Sequence, residues 1–131
     1  MHVLGFSAYE RFIDLDFTAK FFFQRTVLHY ETDAEVPGKY GNLVRVDLLV
    51  AAKLPSLVLA WSSGSSSQAH ITQNEIFRKW SDLDKRLEQR VTIFDDRFDV
   101  YKGEDLKRIQ SISQLVAISD RATFKAILLA A

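Results

Sequence analysis

Residues 43–61, LVRVDLLVAAKLPSLVLAW, constrain this chain more than any other stretch, because fourteen of the nineteen are apolar. A run so poor in polar side chains has to be covered on more than one side. The amphipathic segments before and after it are therefore expected to pack around it. Read as a strand, Val44, Val46, Leu48 and Val50 share one face, and Leu43, Arg45, Asp47 and Leu49 share the other. The stretch also fits a helical stripe through Leu43, Val46, Val50 and Leu54. Its valine content and the flanking Gly41 and Pro55 favour the strand. Pro55 and Ser56 then turn the chain, and residues 57–61 form the next strand.

Ser7 and Glu10 stand at the S-x-x-E spacing of a capping box, which predicts a helix over residues 8–13. From Leu15 to Val27 apolar and polar residues alternate, the pattern of a half-buried strand. Phe22 falls on its polar face, either as an interface anchor or under a later helix. Arg25 and His29 fall on the apolar face where it leaves the core. Residues 32–42, TDAEVPGKYGN, read as a loop, and the serine-rich residues 62–67 read as a polar, mobile loop followed by a short strand over 68–71.

Thr72 and Glu75 repeat the capping spacing and predict a helix over residues 74–89, with Ile76, Trp80, Leu83 and Leu87 on one stripe. Its outer face mixes Glu75, Lys79, Asp82, Arg86 and Arg90, as a solvated face does. A strand over 91–94, a turn at Asp95-Asp96 and a strand through Phe98, Val100 and Tyr101 follow. Glu104 and Asp105 open a helix expected over 104–118, and Asp120 caps a last one over 121–129. With no repeat and no linker, residues 1–131 read as one α+β domain. The expected architecture is a mostly antiparallel sheet of four to five strands with helices packed against it.

The chain has no cysteine, which excludes disulfides, zinc-thiolate sites and cysteine nucleophiles. Seventeen basic residues balance seventeen acidic ones, so nucleic acid is a possible but not a favoured partner, and a membrane surface is not expected. The N-terminus lacks the pattern of a secretory signal, and no apolar run reaches the roughly 18 residues of a membrane span. A cytoplasmic location is expected. His2, His29 and His70 have no metal-ligand spacing, and the acids Asp95, Asp96, Asp99, Glu104 and Asp105 lack the register of a calcium loop. No phosphate-binding glycine loop or nucleophile elbow is present, so no metal, cofactor or catalytic residue is expected.

Arg45 and Asp47 on one face of a buried-looking strand form a satisfied ion pair, or lie on a half-solvated face, or make Asp47 a site carboxylate. With Glu10 they make the candidate polar site. Phe22, Trp61 and Trp80 are the candidate interface or pocket aromatics. The order helix, strand, strand, strand, helix, strand resembles the core of restriction-endonuclease-like (PD-(D/E)xK) domains. In that family a carboxylate on the second strand and an acid-x-Lys on the third hold divalent metal and activate water. The resemblance places Asp47 as the first acid and Glu10 as a helix acid. The third strand, residues 57–62, has neither acid nor lysine, so an inactive, accessory version is what the resemblance implies. A curved sheet with a pocket, as in cystatin-like or nuclear-transport-factor-like modules, would instead place Phe21, Phe23, Trp61 and Trp80 around a small ligand. The leading expectation is a small intracellular, non-enzymatic interaction protein, self-associating as a homodimer and meeting an unidentified protein partner. It is motivated by the missing catalytic motifs, zero net charge and ten phenylalanines.

Overall fold

The computed structural model describes residues 29–51, 55–83 and 89–129. The expected helix over 8–13 and strand over 15–27, with Glu10 and Phe22, lie outside the described residues. The expected α+β arrangement forms: five strands in one sheet, in spatial order β1 to β5, with helices packed on it. β1 (His29–Pro37), β2 (Leu43–Ala51) and β3 (Ser56–Trp61) pair antiparallel in succession. α1 (Ser66–Asp82) then crosses to β4 (Gln89–Phe94), which lies parallel to β3. α2 (Gly103–Gln110) crosses to the parallel β5 (Gln114–Ala117), and α3 (Arg121–Leu129) follows.

All six residues of β3 are buried, which explains the apolar run. Val58 and Ala60 face a core closed by Phe124 and Leu128 of α3. Leu57, Leu59 and Trp61 face a second core closed by Ala69, Ile76 and Trp80 of α1 and Ile109 of α2. Trp61 and Trp80 are fully buried and are therefore core residues rather than interface or pocket aromatics. Their indole N–H groups are satisfied internally: Trp61 donates to the Ala69 carbonyl at 3.0 Å and Trp80 to the Thr92 hydroxyl at 2.9 Å.

The hairpin β1–β2 changes allegiance along its length. Leu48 and Val50 pack in the α3 core, yet Val44 and Val46, at the same strand parity, pack in the α1 core with Ala34 and Val36. The change falls at Asp47, whose cross-strand position is Asp33, a residue at φ 50°. Aspartate tolerates this left-handed backbone better than most side chains. Pairing between β2 and β3 stops at Leu48 and Val58. Beyond that point the hairpin reaches the end of α1, where the Lys39 N–H donates to the Asp82 carbonyl at 2.8 Å.

Several expected boundaries are corrected. Residues 32–37 belong to β1, not to a loop, because Ala34 and Val36 alternate with acids and pair with β2. Residues 62–71 are neither a long loop nor a strand. The helix starts at Ser66, where the Ser65 hydroxyl accepts the Gln68 N–H at 3.2 Å, so Thr72 and Glu75 are interior residues. That helix ends at Asp82, and Leu83 is already extended. Residues 98–101 form no strand; Tyr101 instead donates to the Trp61 carbonyl at 3.0 Å and packs edge-on against its ring. The helix expected over 104–118 ends at Gln110, because Ser111 and Ser113 turn onto its last carbonyls and free Leu115 and Val116 for β5.

Gln73, on the buried side of α1, is fully enclosed with no hydrogen-bond partner for either side-chain polar atom. Such groups destabilise a fold by roughly 1–3 kcal/mol. In urea unfolding, Gln73→Leu is expected to raise stability by about 1 kcal/mol. Leu59→Ala, which empties a site between β3 and the helices, is expected to lower it by about 3 kcal/mol.

Candidate functional site

The site is built where β2 parts from β3. A departing strand leaves backbone N–H groups without ladder partners, and a buried one is unfavourable unless something accepts it. Asp47 supplies the acceptor: its Oδ2 takes the Ala60 N–H at 2.8 Å. Burial pushes the Asp47 carboxyl above its usual range. The Ala60 N–H and the Lys79 ammonium of α1 pull it back, and the neighbouring Asp33 charge adds to the rise. A neutral amide could accept the same N–H without desolvating a charge. The fold needs an acceptor here, and an amide would supply one, which keeps Asp47 a functional candidate.

Arg45 does not belong to this site. It is exposed and pairs across the hairpin with Glu35 at 3.7 Å. Of the two structural expectations, the Arg45–Asp47 ion pair does not form and the half-solvated face does. Asp47 has a backbone bond and the field of Lys79 instead, which the mixed-sign helix face gave no reason to single out. Glu10 lies outside the described residues.

The acids near residue 95 divide among separate tasks. Asp95 is buried and bridges Arg97 through bonds of 2.7 and 2.6 Å. Burial alone would raise its pKa, but the Arg97 contacts outweigh it and hold the carboxyl below its ordinary value. Asp96 accepts from the Ser119 N–H and hydroxyl. Asp105 reaches the His70 Nδ1 at 2.9 Å. Among the described residues, no group of three or more His, Asp or Glu side chains is placed to hold a metal ion.

A second polar zone follows the seam between α1 and α2. His70 meets Asp105, and one turn further along α1 the Asn74 carboxamide oxygen accepts from Arg108 Nη1 at 2.9 Å. The Arg108 guanidinium lies 4.2 Å over the Phe77 ring. An open groove of about 560 Å³ lies there, lined by Ile71, Asn74, Glu75, Phe77, Arg78 and Arg108 among others. These partners are more than thirty residues apart, so no local sequence pattern could join them.

No protein-family model matches the chain, and no curated protein matches it.

The raised Asp47 pKa has a defined consequence for stability. Unfolded aspartate releases its proton near pH 4. Native Asp47 keeps its proton above that, so the native state binds more protons and stability falls as pH rises through the window. Asp47→Asn keeps an acceptor for Ala60 and removes the titration. In melts from about pH 4 upward, the variant is expected to lose less stability than the wild type and to be at least as stable at neutral pH. A variant that melts lower at neutral pH would make the carboxylate a structural requirement.

Proposed function

We propose that this chain is a restriction-endonuclease-like domain that binds nucleic acid without cutting it. The observation that carries the reading is the Asp47 carboxylate, set on the second described strand in the gap beside the third. The surrounding order, β1, β2, β3, α1, β4, matches the strand, strand, strand, helix, strand order of the resemblance. Fold-level analogy alone is weak support. The largely buried Asp47 carboxyl, at the position the resemblance assigns to the first acid, supports it further.

The donor set does not fit the metal centre of that family. β3 carries only Ser56, Leu57, Val58, Leu59, Ala60 and Trp61, all buried and none ionisable. Asp33 and Asp47 are two carboxylates without a third described ligand. Among the described residues this supports a binding, non-enzymatic role over a metal-dependent one. With zero net charge, binding has to rest on a local patch. The aromatic surplus behind the self-association reading goes partly into the core, through Trp61, Trp80 and Phe124.

Fluorescence anisotropy with labelled single-stranded and duplex DNA of about 20 nucleotides tests this. Binding is expected at low salt, weakening steeply between roughly 50 and 200 mM, with no cleavage in Mg²⁺ or Mn²⁺. Asp47→Asn, which removes a negative charge from the site, is expected to bind more tightly. No binding at low salt would reject the proposal, and metal-dependent cleavage lost in Asp47→Asn would reject its non-cutting half.

A further inference from the structure

We infer that the seam between α1 and α2 is the surface that receives the nucleic acid, and that it receives a single strand. This rests on the nucleic-acid reading above but uses residues remote in sequence from Asp47.

The groove presents two guanidinium groups and one carboxylate, Glu75, so its excess charge is positive. Among the described residues neither Arg78 nor Arg108 forms a salt bridge. Arg108 is also fixed in advance. Its bond to Asn74 and its place over Phe77 hold the side chain, so an anion arriving there would order little that is not already ordered. His70 stands one turn before Asn74 on the same face. Asp105, itself buried, engages its Nδ1 and leaves Nε2 as the ring's other polar atom on a half-exposed side chain.

Beside these groups the groove is lined by Ile71, Phe77 and Ser81. Ile71 is half exposed, and the Phe77 ring lies beneath the Arg108 guanidinium, which is the flat group turned to the groove. Guanidinium groups beside a half-exposed aliphatic side chain suit a ligand with phosphates along one edge and flat faces along the other, because bases stack on guanidinium planes as they do on aromatic rings. A single strand offers both, because its bases are free to stack. A duplex keeps its base faces stacked inside, turns phosphate, sugar and groove edges outward, and would leave Ile71 against polar groups. A free nucleotide shares the chemistry of one strand unit, and competition separates the two.

The experiment is an anisotropy titration of labelled oligothymidylate against the wild type, Arg78→Gln and the Arg78→Gln/Arg108→Gln double variant. A duplex of equal length and unlabelled thymidine monophosphate serve as competitors, and each variant is melted to check folding. The double variant is expected to bind at least tenfold more weakly. Its salt dependence should be shallower by about 1.4 in log K against log salt, from two lost phosphate contacts at roughly 0.7 each. Arg78→Gln removes no described bond within the fold and is expected to weaken binding several-fold; it decides the matter if the double variant unfolds. Wild-type binding unchanged in both variants would overturn the seam while leaving the nucleic-acid reading standing. Duplex competing as well as single strand, or the mononucleotide competing as well as the strand, would overturn the single-strand assignment. No binding by the wild type would remove the nucleic-acid reading itself.

Discussion

The sheet of this protein divides at one hydrogen bond. Up to Leu48 and Val58, β2 and β3 run as an ordinary antiparallel pair. Past that point β2 has to leave, because its distal half covers α1 while its proximal half covers the α3 side. The Ala60 N–H would be stranded by this departure, and the Asp47 carboxylate takes it. The left-handed backbone at Asp33 lies opposite the same point. Packing of both helical layers, position of the hairpin tip and placement of the Asp47 carboxylate all follow from where β2 turns away.

Much of the fold was legible because burial writes a period into the chain. The run at 43–61 declared a strand pair, of which β3 is covered on both faces and β2 on one, and Asp120 marked the start of α3, where its carboxylate accepts the Thr123 N–H. What failed was local chemistry that imitates something else. The serines before α1 look like a flexible loop, yet Ser65 is a cap and Ser66 begins a helix. The acids of β1 look like a loop, yet an exposed strand face accepts acids readily while Ala34 and Val36 hold the other face. The two serines around Ile112 hide the junction where a helix yields to a strand.

The site was legible only in part. Asp47 stood out because a charge in an apolar run demands a reason. Its partners did not, since Lys79 sits on a helix face with charges of both signs and Ala60 contributes only its backbone. Arg45 misled through strand parity: sharing a face with Asp47 suggested a pair, but the cross-strand position of Arg45 belongs to Glu35. The α1–α2 seam joins residues distant in sequence, and only the crossover through β4 brings them together.

β3 has one consequence of a kinetic kind. Its antiparallel neighbour ends at Ala51, close before it in sequence, so the pairings of β1, β2 and β3 close small loops. Its parallel neighbour arrives only after α1 has crossed over, which requires a much larger loop to close. During refolding, an all-buried strand therefore waits with one edge unpaired. Until β4 docks, that edge offers an apolar template to any other chain in the same state, and yield should fall as concentration rises.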